Sequence, residues 1–397
     1  MKHVLSLSTL YPNPVNPRFG TFVARSLEAL ARRGADSGEW RVSVVNPLGI
    51  PPVAIGRYRA LSELEPVAVE GDVSVHRPRF TLIPKIGARR NASAIAKAVL
   101  PLIEQIHAEQ PIDVIDAQFF FPDGPAAAMV ARHLGLPLSI KARGSDISLW
   151  GQQDFARQQM LEAANQAAGL LAVSEALKRD MIALGMPGDT IEIHYTGLDR
   201  DRFRPLGHTQ LRAQLGQQLG FSMPDNAPLL TCVGALIERK GQDIAISALP
   251  SLPETRLVLV GKGDDQNRLE ALARDLRVAE RVHFAGSLDH DLMPLILSAA
   301  DAMVLPTVSE GLANAWVESI ACGTPVITTD VGGARELINN DIAGRLIERT
   351  PESVVSAVQA LLATPPDPQA VAASAERFSW SNHAEELAAY LERLVAR

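Results

Sequence analysis

Two glutamates and a lysine are the side chains of this 397-residue chain best suited to chemistry. Glu310 opens the run EGLANAWVESIACGTPVITTDVGGAREL, and Glu318 follows within the same stretch. A helix is expected to begin near Leu312. Its unpaired backbone N–H groups and the positive end of its dipole attract a phosphate or diphosphate. Carboxylates repel that anion, so Glu310 and Glu318 suit another task, accepting hydrogen bonds from sugar hydroxyls. One helix start, with the N–H groups at Gly311, Leu312, Ala313 and Asn314, would then hold a diphosphate flanked by two sugars. An amphipathic surface helix with two solvated glutamates is the plain alternative.

Lys240 lies in CVGALIERKGQDIAISAL, a strand ending at Gly234 followed by a helix start. A cation there opposes the helix dipole at a cost of up to about 1 kcal/mol, which a bound anion removes. Arg239 beside it offers a second positive charge, and a solvated loop lysine is the alternative. LVLVGKGDD ends a strand in a turn holding Gly261 and Lys262. It lacks the third glycine of a dinucleotide fingerprint, so NAD binding is not expected. Gly20, in NPRFGT, sits at a helix start and allows close backbone approach to a ligand, or serves as an ordinary helix cap.

These residues need a scaffold, and the apolar pattern supplies one. Strand-like and helix-like runs alternate throughout, the mark of parallel sheets covered on both faces. Strands are expected at His3–Ser8, Arg41–Val45, Asp113–Asp116, Leu138–Ala142 and Leu170–Val173, and again at Leu229–Gly234, Arg256–Val260, Arg281–Phe284, Ala302–Leu305 and Pro325–Thr328. The length favours two domains. A hinge is expected near His194–Pro205, with Gln217–Pro228 a loop into the second sheet. Trp380–Val395 reads as an amphipathic helix.

The net charge of −7 argues against a nucleic-acid partner, and the deficit falls entirely after residue 199. His76 to Lys97 is basic without an acid, and interleaves Arg77, Arg79, Lys85, Arg89 and Arg90 with Phe80, Leu82, Ile83 and Ile86. That suits either a solvated loop or contact with anionic lipid headgroups. The two cysteines fit a reducing compartment, and the opening residues read as a first strand rather than a secretion signal. A cytoplasmic enzyme, with possible peripheral attachment to the inner membrane face, is expected. His107, His133 and His383 have no partners at metal spacing.

The run from Glu310 to Leu337 resembles the E-x7-E segment of the retaining family 4 glycosyltransferases of polysaccharide and lipopolysaccharide assembly. HYTGLDRDRFRP resembles their interdomain linker. The resemblance implies the GT-B fold: two doubly wound Rossmann-like domains facing across a cleft, with a C-terminal helix crossing back to the first. The implied division is an acceptor-binding domain at 1–199, a nucleotide-sugar domain at 200–378, and the returning helix at 379–397. It gives Glu310 the transferred sugar, Glu318 the ribose, Lys240 the diphosphate, and Gly20, Gly234, Arg239, Gly261 and Lys262 the rest of the donor.

Ile115–Gly124 and Lys141–Ser148 resemble acceptor-side loops, bringing in Asp116, Gln118, Asp123, Arg143 and Asp146. Arg143 stands where many relatives have histidine, and Ala235 stands where they have arginine. Arginine cannot accept a proton at neutral pH, so Arg143 would be a charge stabiliser or clamp, or else a partner of Asp146 or Asp116. Asp199-x-Asp201 and Asp289-x-Asp291 mimic a metal-binding motif and are read as decoys. No cofactor and no metal is expected. The implied reaction is same-face transfer of a sugar from a nucleoside diphosphate to the hydroxyl of a glycan or lipid-linked acceptor. A non-catalytic nucleotide-sugar-binding subunit, or a phosphorylase or epimerase on the same fold, are the alternatives.

Overall fold

The computed structural model describes residues 1–83 and 87–396, with only the backbone of 208–210 and 290. The chain divides into two compact units, Met1–Gly197 with Trp380–Arg397, and Leu198–Ser379.

In the first unit the strands are β1 (Lys2–Leu7), β2 (Trp40–Val45), β3 (Leu48–Ile50), β4 (Val67–Glu70), β5 (Val73–His76), β6 (Arg79–Thr81), β7 (Val114–Ala117), β8 (Leu138–Ala142), β9 (Gly169–Ala172) and β10 (Ile191–Ile193). Eight form one sheet in the order β10-β9-β8-β7-β1-β2-β5-β4, and β3 pairs with β6 separately. Every pairing in the large sheet is parallel except β4 with β5. Central strands such as β7 and β8 are buried along their whole length. Burial on both faces is why their residues vary in type but not in exposure, with Asp116, Ser139 and Lys141 buried among the apolar residues.

One face is covered by the helices Thr21–Ser37 and Trp380–Val395. Val23, Leu27 and Leu30 of the first pack with Leu387, Leu391 and Leu394 of the second. These apolar residues recur at helical spacing, which is why an otherwise polar terminal segment folds onto this sheet. The expected return of the C-terminal helix is thus present. The opposite face carries Asn91–Glu109, Asp123–Leu134 and Asp154–Gln166, whose Ile95, Val99, Ala127 and Met160 close a second core.

The second unit holds β11 (Leu229–Val233), β12 (Arg256–Val260), β13 (Val282–Gly286), β14 (Ala302–Leu305), β15 (Val326–Thr329) and β16 (Gly344–Ile347). They form an all-parallel sheet in the order β13-β12-β11-β14-β15-β16. Order reverses between β11 and β14, the position where doubly wound sheets collect ligands outside their strand ends.

The pattern missed some elements. Gln217–Leu219, expected as loop, belongs to the helix His208–Leu219, which ends at Gly220 in the left-handed region. Its apolar face is weak, so periodicity gave little sign of it. The edge strand β4 exposes alternate residues, and β3 and β6 span three residues each, too short to stand out.

Candidate active site

Lys240 and Glu310 meet in the second unit. Lys240 belongs to a single 3-10 turn, Glu238–Lys240, reached from the end of β11, and Glu310 lies in the loop leaving β14. Lys240 Nζ donates to Glu310 Oε1, and both side chains are only 12% exposed. Arg239 Nη1 reaches the same oxygen at 3.4 Å and also donates to the Ser309 carbonyl. Thr307 Oγ1 lies 3.4 Å from Glu310 Oε1 and donates to the Arg239 carbonyl at 3.1 Å. All three contacts fall on Oε1, and none of them on Oε2. Two cations against one carboxylate leave this spot with positive charge to offer an anion.

The loops are tied together beneath the pair. Arg349 Nε donates to the Pro306 carbonyl and its Nη2 to the Glu238 carbonyl, each at 3.0 Å, bridging the segments that carry Glu310 and Lys240. Val308 N–H donates to the Arg239 carbonyl at 3.0 Å. Gly234 and Gly261 lie at the ends of neighbouring strands. A Cβ on Gly261, at φ +146°, would stand 1.9 Å from the Gly234 carbonyl oxygen. Gly261 N–H donates to the Gly286 carbonyl at 2.8 Å, and Leu236 N–H to the Lys262 carbonyl at 3.1 Å. Gly234, Arg239, Lys240, Gly261, Lys262 and Glu310 therefore sit on one interlocked set of loops.

The helix after Glu310 starts later than the sequence suggested. It spans Asn314–Ala321, with Ala313 extended as its cap. The Gly311 carbonyl is taken by the Gly333 N–H at 2.6 Å, which holds Gly311–Ala313 in a turn outside the helix. The unpaired N–H groups of the helix start are therefore those of Asn314 and Ala315, rather than those of Gly311–Asn314. Glu318 is half-buried one turn further along.

Gly20 in the first unit has φ +72° and caps Thr21–Ser37. A Cβ there would meet the Leu10 carbonyl oxygen at 2.5 Å, so the close approach it permits is to its own chain.

The acceptor-side residues are interior groups. Asp146 accepts from the backbone N–H groups of Phe120 (2.9 Å), Arg143 (3.0 Å), Gly144 (2.8 Å) and Ile147 (3.2 Å). Asp123 binds Thr9 through N–H at 2.9 Å and Oγ1 at 2.7 Å. Both are fully buried. Burial raises the carboxyl of Asp123 to about 7 and also raises those of Asp146 and Asp116. Gln118 Nε2 donates to Asp116 Oδ2, and Gln118 Oε1 accepts from Arg143 Nη2. Asp116, Gln118, Asp123 and Asp146 thus brace loops from within the first unit. Arg143 is the half-exposed member. Its side chain pairs with Gln118, rather than with either carboxylate, and lies 5.2 Å from the Phe22 ring centroid.

A buried polar chain beneath the C-terminal helix had no sequence signal beyond isolated histidines. Lys141 Nζ meets His194 Nδ1 at 2.8 Å, and His194 Nε2 meets the His383 carbonyl at 3.0 Å. His383 Nδ1 meets the Tyr195 carbonyl at 2.7 Å and its Nε2 meets Ser26 Oγ at 2.6 Å. The carbonyls fix the tautomers, with hydrogen on His194 Nε2 and His383 Nδ1. Burial lowers all three groups well below their ordinary values.

Elsewhere, Asp199 caps its own turn through the Arg202 N–H at 3.1 Å, and Asp291 pairs with Arg202. Among the described residues no three metal-ligating side chains converge. In the basic stretch, Lys85 and Ile86 lie outside the described residues. Arg77 is buried against Glu70 and Phe80 is buried, while Arg79, Ile83, Arg89, Arg90 and Lys97 are exposed.

Two doubly wound units in one chain are the architecture of GT-B glycosyltransferases, and the sequence agrees unit by unit. Residues 20–202 match the family described as Glycosyltransferase Family 4, and residues 220–378 match Glycosyl transferases group 1. A Mycolicibacterium smegmatis protein named GDP-mannose-dependent alpha-(1-6)-phosphatidylinositol monomannoside mannosyltransferase is 29% identical, covering 63% of this chain and 68% of that one. A Bacillus subtilis protein, named for a glycosyltransferase role in teichuronic acid biosynthesis, is 27% identical over 84% of this chain and 82% of its own. The structure of an Anabaena protein in complex with UDP and glucose superposes with a TM-score of 0.74 at 21% identity, covering 99% of this chain and 100% of that one. The chain belongs to the family 4 glycosyltransferases of GT-B fold, enzymes of glycan biosynthesis.

Proposed function

We propose that this enzyme is a retaining, metal-independent hexosyltransferase that moves a sugar from a nucleoside-diphosphate sugar to an acceptor hydroxyl in surface polysaccharide or glycolipid synthesis. The observation that carries this reading is the convergence of Lys240 and Arg239 on Glu310 next to the helix start at Asn314. Relatives named for GDP-mannose or solved with UDP support a nucleotide donor without choosing between the two nucleotides.

In this reading the acceptor oxygen attacks the anomeric carbon on the face the phosphate leaves. The bond from carbon to phosphate oxygen breaks, its electron pair stays with the diphosphate, and that oxygen takes the acceptor proton. Charge growing on the diphosphate is met by Lys240, Arg239 and the N–H groups of Asn314 and Ala315. Such fixed charges act more strongly on the transition state than on the bound donor. Glu310 Oε2 orients the sugar and Glu318 the ribose. These cations perform the neutralising task a divalent ion would otherwise serve. The donor role that the family resemblance gives Gly20 and the role of Arg143 as charge stabiliser or substrate clamp are proposals of the same kind, as is a cytoplasmic site of action.

Incubating the enzyme with a panel of UDP- and GDP-sugars tests the reading. Slow release of nucleotide that persists in EDTA, with the freed sugar first appearing in the donor's anomeric configuration, is the expected result. Binding without release points to a non-catalytic subunit, and inverted sugar removes the same-face mechanism. Attachment to an anionic membrane through Arg79, Ile83, Arg89, Arg90 and Lys97 is proposed as well. Equal flotation with anionic and neutral vesicles would remove it.

A further inference from the structure

We infer that a cavity of the first unit binds a neutral, polyhydroxylated ring, and that Asn46 is its specificity-determining residue. The inference rests on the glycosyltransferase reading, because the ring is taken as the sugar that receives the transfer. The cavity measures about 360 Å³ and opens outside the carboxyl ends of β1 and β2, bordered by Thr9, Asn13, Asn16 and Asn46. That volume lies at the small end of ligand sites and fits one or two sugar rings.

Its walls define the chemistry. Asn46 is 1% exposed, donates from Nδ2 to the Ser8 carbonyl at 2.8 Å, and leaves Oδ1 without a partner among the described residues. A buried acceptor left unpaired costs about 1–3 kcal/mol, so a ligand that supplies a donor, directly or through one water, gains that much. Asn13 is tied the other way. Its Oδ1 already accepts from the N–H groups of Val15 (3.1 Å) and Asn16 (3.0 Å), leaving its amide N–H groups as what it can offer. A hydroxyl donates and accepts at once, so neighbouring hydroxyls on a ring match this pairing of an acceptor with a donor.

Charge narrows the class further. Among the described residues no carboxylate borders the cavity, so nothing there stabilises a cationic amino sugar. Arg57 is the charged residue of the wall, but it is exposed to solvent, which screens its charge, and it leans on Tyr58 through Nη2 to the hydroxyl at 3.1 Å and over the ring. Leu48, Phe80 and Pro122 complete the lining with apolar surface suited to the C–H face of a ring. Neutral hydroxyls on one side and carbon on the other describe a neutral sugar better than an acyl chain or an anion.

Saturation-transfer NMR with methyl α-D-mannopyranoside, myo-inositol and D-glucosamine, at pH 6.5 and saturating UDP or GDP, tests this. The wild-type protein should show transfer to a neutral ring and none to glucosamine at the same concentration. Asn46→Leu should weaken the signal about tenfold, as expected when one polar match is removed, and Tyr58→Ala, which strips a wall of the cavity, should weaken it too. Tyr58 is half-exposed on a short helix, so its variant remains informative where Asn46→Leu fails to fold, and circular dichroism checks both. No transfer to either neutral ring, equal transfer to glucosamine, or a signal that survives both substitutions overturns the proposal. Donor hydrolysis by the wild-type protein, measured on the same sample, keeps the two readings apart. Hydrolysis without sugar binding overturns the cavity assignment alone, whereas absent hydrolysis counts against the transferase reading.

Discussion

Lys240 Nζ donates to Glu310 Oε1 across 70 residues of sequence, joining the ends of two neighbouring parallel strands. Neither residue lies in a long element. Each is presented by a short turn whose backbone is held by Arg349 and Thr307. A donor that binds here must share the lysine with Glu310, and the remaining positive charge, from Arg239, makes that exchange possible.

Glu310→Gln follows from this relationship. The substitution keeps size and hydrogen bonding but removes the charge that pairs with Lys240. In the proposed mechanism Glu310 accepts from the reacting sugar, so neutralising it should slow sugar transfer about 100-fold. Affinity for UDP or GDP alone should hold or rise, because a repelling carboxylate has gone from beside the diphosphate. Calorimetric titration showing nucleotide binding weakened tenfold would place Glu310 on the nucleotide instead.

Gly261→Ala should lower stability by about 1–3 kcal/mol, the range for a residue forced into a disfavoured backbone region. The added methyl would press on the Gly234 carbonyl and move the turn that carries Lys262. Urea unfolding measures the loss, and a change below about 0.5 kcal/mol would show that the turn yields freely.

Much of this site was readable in the residues themselves, and the reason is local. Lys240, Gly261 and Glu310 each follow a buried parallel strand, and such strands announce themselves as apolar runs ending in glycine or polar turns. The helix start was misplaced by two residues because Gly333, far along the chain, takes the Gly311 carbonyl. No local pattern reports such a partner. The carboxylates at 116, 123 and 146 entered as acceptor-side candidates through the family resemblance, and nothing local reports their burial. Only the fold shows them turned inward, Asp123 and Asp146 onto backbone N–H groups and Asp116 onto the side chains of Ser6 and Gln118, and the same holds for Lys141, whose burial depends on histidines more than fifty residues away. The cavity beside Asn46 draws on β3, β6 and the helix Arg57–Ser62, elements too short to leave a periodic signature.

The Lys141–His194–His383 chain predicts a pH response in the C-terminal helix. Lys141, Arg143, Asp116 and Glu386 are the charged groups facing it. Both imidazoles are held below their usual range, so the unfolded chain takes up their protons first as pH falls past about 6.5. Their contribution is whole above that pH and is lost below it, as the folded pKa values are approached. Asp123, raised to about 7, works in the opposite direction, because the folded state holds its proton more tightly between pH 7 and 3.8. A global melting curve therefore mixes the two effects. Amide exchange within Trp380–Val395 reads this chain, Lys141 included, apart from Asp123, and should accelerate beyond its intrinsic pH dependence from pH 7.5 to 5.5. Unchanged protection factors across that interval would show that the imidazoles titrate without strain on the helix.

The most direct test of the whole account is donor turnover by Lys240→Ala. With whichever of GDP-mannose or UDP-glucose the wild-type enzyme hydrolyses, the variant should turn over at least about 100-fold more slowly, with a wild-type melting curve. Turnover within a few-fold of wild type would contradict it, since a diphosphate held beside Glu310 cannot be indifferent to the lysine that Glu310 now grips.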